Sequence, residues 1–306
     1  MQADRVQVLG GASPLAVMRD FLALTKPRIT LVVLLTSAAG MAVAPRVAPG
    51  SVPSLRLWLS LAGTALIVSS ANALNMWWER GLDARMTRTA DRPLPAGRLQ
   101  PSHALAFGVA LAAVSLPMLL AVNLLTALLG VFALATYVLV YTPLKTRSWL
   151  ALLVGAVPGA LPPLMGWATV TGRADWGGLA LFLVLFLWQV PHFGAISLFR
   201  ASEYERAGMR VLAVEKGEKS AQRTMALFTV LLVSASVLVV PLGVARMAYL
   251  AVALVTGSVF IAMSVRGLLP NPGTRWAKQL FALSIVYLVV WMGALILDRV
   301  PAASVL

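Results

Sequence analysis

The sequence contains no cysteine, only two histidines and only 11 acidic residues among its 306. The absence of cysteine excludes a disulfide framework, a thiolate metal site and a cysteine nucleophile. Charged residues amount to 12% of the chain, whereas hydrophobic residues amount to 59% and the mean hydropathy is +0.85. Such a composition excludes an ordinary soluble domain. The chain is therefore predicted to be an integral membrane protein whose partner is the lipid bilayer.

Nine apolar segments have about the 20 residues that a helix needs to cross a bilayer. The fold predicted from them is an all-α membrane protein built as a bundle of nine transmembrane helices. The segments cover residues 29–45, 55–77, 102–121, 124–141, 149–170, 177–198, 224–243, 247–265 and 279–297. Accordingly, we expect an amino-terminal segment at 1–28, one transmembrane domain at 29–298 and a short tail at 299–306.

The net charge of +14 could indicate a nucleic-acid partner, but the basic residues lie in short loops between the apolar segments. Of the 25 Lys and Arg residues, 20 precede the first segment or occupy alternate loops. The positive-inside rule explains this distribution and places the amino terminus in the cytoplasm. We therefore expect no nucleic-acid partner, and we expect the far tail on the opposite side of the membrane.

The second apolar segment ends in a stripe of polar residues. At about 100° per residue, Asn72, Glu79 and Asp83 fall on one helix face, and Asn75 lies to one side of it. Glu79 and Asp83 are one turn apart, roughly 6 Å along the axis, so both carboxylates can reach one divalent cation. A solvated loop is the alternative interpretation. The two asparagines argue against it, because unpaired amides within a span are costly.

Basic residues follow this stripe closely. Two carboxylates followed by several closely spaced basic residues at a membrane boundary suit the binding of a polyanion, such as a diphosphate, through a bridging metal ion. Two further cations occur after the fourth segment, where a simple topology signal and anion binding are equally good interpretations. The residues concerned are Arg80, Arg85, Arg88, Arg92 and Arg98 in the first group, and Lys145 and Arg147 in the second.

A second polar stripe ends the sixth segment. On a continuous helix Gln189, His192 and Glu203 fall within an arc of about 60° and lead from the membrane to an acid. His192 could form a packing hydrogen bond, transfer protons or bind a haem iron. His103, by contrast, borders the third segment.

Taken together, the motifs resemble those of the membrane-embedded prenyltransferases of the UbiA superfamily, and within it the branch that farnesylates haem. The resemblance extends over nearly the whole chain. It rests on LTKPRI (24–29), the Asn-x3-Glu-x3-Asp motif at 75–83, RTADRPLPAGR (88–98), YTPLKTR (141–147), GALPPLMGWATVTG (159–172), PHF (191–193) and EYERAG (203–208).

The resemblance implies a Mg²⁺-dependent enzyme of a bacterial inner membrane that transfers farnesyl from farnesyl diphosphate to a vinyl group of haem B, with addition of water. Contact with a haem A synthase or with terminal-oxidase assembly is a further expectation. The resemblance implies metal ligation by Glu79, Asp83 and Glu203, with Asn75 bonding to metal-bound water or phosphate. It implies diphosphate binding by Arg88, Arg92, Lys145, Arg147 and Tyr204. It also implies that His192 and Gln189 contact haem.

Two positions depart from the pattern of the family. Glu79 and Glu203 stand where the superfamily and its haem branch, respectively, usually have Asp, which changes the metal geometry rather than the charge. The second acidic ligand could also be Glu205. Two alternative functions stay open at this point: prenylation of another acceptor such as a quinone precursor, and membrane transport along the polar stripes.

Overall fold

The computed structural model describes residues 13–45 and 52–301, and the regular structure in these ranges is helical. The expected tail at 299–306 and the start of the amino-terminal segment lie largely outside them. The helices are α1 (Pro14–Leu24), α2 (Pro27–Val43), α3 (Ser54–Asp83), α4 (Pro101–Val122), α5 (Leu124–Ala135), a π-helix π1 (Thr136–Tyr141), α6 (Thr142–Leu144), α7 (Ala151–Thr171), α8 (Trp176–Phe199), α9 (Ala201–Arg206), α10 (Leu212–Lys216), α11 (Glu218–Leu238), α12 (Met247–Arg266) and α13 (Gly273–Leu297).

The predicted membrane bundle is confirmed in these ranges. Eight helical segments are long and apolar enough to cross a bilayer, and α1 and α2 are so only together, as a pair bent by 48°. Counted as one span, this pair makes nine. The bend lies at Lys26, whose φ of 49° is left-handed. Pro27 follows it and disfavours helical geometry at the preceding residue. The break therefore turns the side chain of Lys26 out of a continuous helix.

Neighbouring spans pack in chain order from α3 to α5 and from α11 to α13, while α2 crosses α7 and α13 packs on α8. The crossing of α2 and α7 is a contact of backbones. A β-carbon on Gly166 would overlap the carbonyl oxygen of Ser37, and one on Gly40 would overlap that of Pro163. Small residues let membrane helices approach in this way, because lipid provides no hydrophobic force that drives helices together.

The fourth span is not a uniform α-helix. Its α-helix widens into π1 over Thr136–Tyr141. The extra residue in a π-turn changes the direction of the side chains that follow, and such turns occur mostly at functional sites. Tyr137 and Tyr141 lie in π1, side by side with ring centroids 5.1 Å apart, on the inner face of the span.

We expect Gly166→Ala to lower the free energy of unfolding by about 1–3 kcal/mol, because its methyl group must push α2 and α7 apart. Gly293→Ala in α13 is the matched control, since no atom lies within 4 Å of its added β-carbon. Alanine there should leave stability unchanged or raise it by up to about 1 kcal/mol. Unfolding of both variants in one detergent measures the difference. Equal effects would contradict the close crossing.

Candidate active site

A cavity of about 340 Å³ lies at the end of the bundle where α3 terminates. Its walls come from α2, α3, π1, α7 and α8, and residues 209–212 between α9 and α10 border it. The polar part of the lining is strongly basic. Its charged members are Lys26, Arg88, Arg92, Lys145 and Arg210 against Glu79 and Asp83, so five positive and two negative groups leave a formal charge of +3. An anion is the ligand that this balance favours.

The polar stripe of α3 is buried, as its helical spacing predicts. Asn72, Asn75, Glu79 and Asp83 are exposed by 3%, 1%, 6% and 1%. Asn75 uses both ends of its amide: its oxygen accepts from Lys26 Nζ at 3.0 Å, and its nitrogen donates to Thr142 Oγ1 at 3.0 Å. Asn75 therefore ties the bend of the first span to the end of π1.

Asn72 lies one turn deeper and has a structural partner. Its side-chain nitrogen donates to the carbonyl oxygen of Thr25 at 3.2 Å. This bond satisfies the backbone where the first span is interrupted, next to Lys26. The amide that made a solvated loop implausible is thus explained by the fold, and Asn72 does not line the cavity.

Each acid of the stripe pairs with a base from another part of the chain. Lys145 Nζ lies 2.7 Å from Glu79 Oε1, and Arg92 donates to Asp83 Oδ2 at 2.7 Å. The ammonium of Lys145 is thus the polar partner of the buried Glu79 Oε1.

Lys145 lies one residue beyond the fourth span and is 14% exposed. Its ammonium is also 4.4 Å from the centroid of the Tyr141 ring. Burial lowers the pKa of Lys145, but Tyr141, Glu79 and Tyr137 together outweigh it and raise the pKa above the ordinary value. The ammonium therefore stays charged at neutral pH. It can hold Glu79 or an incoming anion.

Glycines on α7 make room for two side chains of the wall. A β-carbon on Gly155 would overlap the ring of Tyr141, and one on Gly159 would overlap the amide of Gln189. Gln189 lines the cavity as expected and donates to the carbonyl oxygen of Ala156 at 2.9 Å. It is 6% exposed, so its amide is a fixed part of the wall.

The structure does not bring together all the predicted site residues. No group of three or more His, Asp or Glu side chains within 13–45 and 52–301 is arranged to hold a metal ion. Glu203 does not line the cavity; on the short helix α9 its Oε2 accepts from Arg200 at 2.9 Å, while its Oε1 is buried without a hydrogen-bond partner. The expected third carboxylate is thus separate from Glu79 and Asp83, because Arg200 binds it locally.

Of the other predicted site residues, some line the cavity and others do not. Arg88, Arg92, Lys145 and Tyr204 line the cavity, whereas Arg147 is exposed and does not. His192 lies outside the lining as well. Its Nδ1 is 2.7 Å from Ser284 Oγ on α13. The helical projection placed it with Gln189, yet the two side chains differ in direction enough that only Gln189 reaches the cavity.

The lining residues to which the sequence analysis gave no role include two bases and two tyrosines, Lys26, Arg210, Tyr137 and Tyr141. Lys26 had a signal, since a lysine directly before Pro27 at the start of a span points to an interrupted helix. The tyrosines depend on π1, which no pattern in the sequence indicated.

Residues 209–212 border the cavity, whereas the polar residues 215–222 do not line it. The latter residues end α10 and begin α11. The backbone amide of Arg210 donates to the carbonyl oxygen of Lys145 at 2.9 Å, and the amide of Trp149 donates to Glu215 Oε2 at 2.8 Å. Two connecting segments are thereby joined over the site.

A helical membrane bundle with acids and bases around one terminal cavity has the form of a prenyltransferase that binds a diphosphate. Residues 33–286 match the UbiA prenyltransferase family, and the chain belongs to it. Among relatives, it is 49% identical to the protoheme IX farnesyltransferase of Anaeromyxobacter dehalogenans, over 98% of this chain and all of that one.

Solved structures agree on the fold. The chain is similar to a digeranylgeranylglyceryl phosphate synthase, with a TM-score of 0.79 at 17% identity over 92% of this chain and 98% of that one. It is also similar to a UbiA homolog from Archaeoglobus fulgidus bound to GPP and Mg²⁺, with a TM-score of 0.63 at 16% identity over 90% and 99%. At these identities the likeness shows the fold only.

The pairing of Glu79 with Lys145 predicts a clear double-mutant result. Glu79→Gln should destabilise the protein by roughly 3–5 kcal/mol, because it leaves a buried ammonium without its counter-ion. Adding Lys145→Met should recover much of that loss, since no uncompensated charge then remains. Thermal unfolding of the four proteins in one detergent measures the coupling.

The control for this cycle is Asp91→Asn, because Asp91 pairs with Arg98 but its side chain is 98% exposed. An exposed pair contributes little, so this variant should unfold like the wild type. Purely additive losses from Glu79→Gln and Lys145→Met would refute a coupled buried pair.

Proposed function

We propose that the protein transfers the farnesyl group of farnesyl diphosphate to a vinyl group of haem B, with addition of water, and so produces haem O and diphosphate. Its end-to-end identity of 49% to a protoheme IX farnesyltransferase supports the substrates. The observation that carries the chemistry is the cavity charge of +3 around two buried carboxylates, set in an apolar bundle. This arrangement suits a polyanion that is joined to a hydrocarbon chain.

The residues present fit Mg²⁺. Glu79 and Asp83 supply two buried carboxylates that line one cavity, and Mg²⁺ commonly binds through one or two carboxylates plus substrate phosphates. The similar UbiA homolog was solved with GPP and Mg²⁺. Glu79 and Asp83 would hold the ion here, and its chemistry when bound is neutralisation of the diphosphate as a Lewis acid. A contribution of Glu203 to the ion stays a prediction.

The bases of the cavity account for the first chemical step. The bond between farnesyl C1 and the diphosphate oxygen breaks, and its electron pair leaves with the diphosphate. Within residues 13–45 and 52–301 no carboxylate pairs with Lys26, Arg88 or Arg210, so these bases can bind the departing charge directly. Lys145 and Arg92 can transfer their bonds from Glu79 and Asp83 to it.

The allylic cation left behind needs protection from water until the acceptor attacks. The rings of Tyr137 and Tyr141 face the cavity, and aromatic faces stabilise positive charge. The π electrons of a haem vinyl group then form the new carbon–carbon bond to C1. Water adds to the resulting cation next to the macrocycle and loses a proton, which gives a hydroxyethylfarnesyl group.

Localisation follows from the same charge pattern. We place the cavity on the cytoplasmic side of a bacterial inner membrane, with the amino terminus on that side, because 20 of 25 Lys and Arg residues lie there. Reporter fusions should show the first and last residues in opposite compartments. Both ends in one compartment would refute this topology. Contact with a haem A synthase or terminal-oxidase assembly stays a prediction.

Mass spectrometry of haems extracted from cells with and without the protein tests the reaction itself. Haem O should appear only in cells that express the active chain. A farnesylated quinone precursor instead of haem O would show that the acceptor is not haem B. Unchanged haems together with unchanged prenyl products would reject the proposed reaction altogether.

Asp83→Asn tests the acid pair. Losing this carboxylate should reduce turnover by at least about 10³-fold, because several kcal/mol of charge stabilisation are lost. Glu79→Asp is the conservative comparison and should retain much of the rate, since a carboxylate stays on the same face. Conversion of haem B in membranes containing equal amounts of each variant gives the rates. A near-normal rate for Asp83→Asn would remove that residue from the reaction.

A further inference from the structure

His192 lies beside the cavity in an arrangement that the diphosphate chemistry does not use. Its ring stacks on Trp188 with centroids 4.5 Å apart and contacts Phe281 at 4.8 Å. Its Nδ1 is 2.7 Å from Ser284 Oγ. Two aromatic rings and one hydroxyl thus fix the orientation of the imidazole between α8 and α13.

The hydrogen bonds around Ser284 also determine which ring nitrogen carries the proton. The hydroxyl of Ser284 donates to the carbonyl oxygen of Phe281 at 2.6 Å. A hydroxyl has one hydrogen, so both bonds form together only if His192 Nδ1–H donates to Ser284 Oγ. Nε2 then carries a free lone pair. No described residue hydrogen-bonds to it, and it is not among the fully buried unpaired atoms.

The imidazole of His192 lies next to the cavity wall without lining the cavity. Phe193 lines the cavity, and its ring centroid is 5.1 Å from that of His192. Phe193 is 45% exposed and Ile285 on α13 is 43% exposed, so this side of the cavity faces the bilayer. The apolar face of a macrocycle could approach the cavity from this side.

We propose that His192 Nε2 is an axial ligand to the iron of the haem substrate, an inference that rests on the proposed function. The vinyl groups of haem are on the rim of the macrocycle and the iron is at its centre. A vinyl group that enters the cavity past Phe193 therefore leaves the iron outside the cavity, on the side where His192 lies. A hydrogen-bonded Nδ1–H is the usual partner of an Nε2 metal ligand, because it fixes the tautomer and raises basicity.

Titration of the purified full-length protein with ferric haem B in nanodiscs tests this assignment. Absorption and electron paramagnetic resonance spectra should show imidazole ligation in the wild type. His192→Asn is the key variant, because its amide can still donate to Ser284 Oγ but has no atom in place of Nε2. It should lose the imidazole signature and bind haem at least about tenfold more weakly, and added imidazole should restore the signature.

Two variants complete the design. Ser284→Ala keeps the ligand but loses its orienting bond, so it should retain the signature with affinity reduced by about tenfold. His103→Ala removes the only other histidine, an exposed residue at the start of α4, and should match the wild type. A packing role for His192 predicts instead that His192→Asn behaves as the wild type.

The outcomes separate the inference from the proposed function. An unchanged spectrum in His192→Asn overturns the assignment of the ligand. A wild type that produces haem O but shows no imidazole ligation overturns it too and leaves the function standing. A wild type that neither binds nor converts haem B rejects the proposed function, and the inference with it.

Discussion

The neutralisation of two buried carboxylates is the constraint on which the site depends. Glu79 and Asp83 end a transmembrane helix in a place where water is largely excluded, and an isolated carboxylate there would cost several kcal/mol. Lys145 and Arg92 supply the counter-charges from two different connecting segments. The ion pairs therefore fix the connections after α3 and after the fourth span against one helix end. The same bases are then in position for a diphosphate.

Departures from regular helix geometry position the rest of the cavity. The bend at Lys26 brings an ammonium to Asn75, and π1 turns two tyrosines inward. Glycines on α7 provide the space for Tyr141 and Gln189. Each departure is compensated by a specific bond or close contact, as the bilayer requires, since freed backbone groups find no water there. The packed apolar helices fix these irregular segments in place, and the irregular segments position the polar side chains of the site.

Side chains of α8 contact two different parts of the structure. Gln189 and Phe193 face the cavity, while Trp188 and His192 face α13. This division matches the two substrates of the proposed reaction, because a diphosphate needs the basic cavity whereas a haem iron lies apart from the vinyl group that reacts. Prenyl donor and acceptor would thus be recognised on adjacent faces of one helix.

The sequence alone determined the membrane class, the approximate spans and the stripe at Asn75, Glu79 and Asp83. Hydrophobic length and the 3.6-residue period are local properties, so they can be read from neighbouring residues. Only the tertiary structure decided which bases join the acids, that Glu203 pairs with Arg200, and that Tyr137 and Tyr141 face inward. The Lys145–Glu79 pair links residues that are far apart in the chain, the Arg92–Asp83 and Arg200–Glu203 pairs form at helix ends, and the two tyrosines lie in a π-helix. A projection that assumes continuous helices contains none of this information.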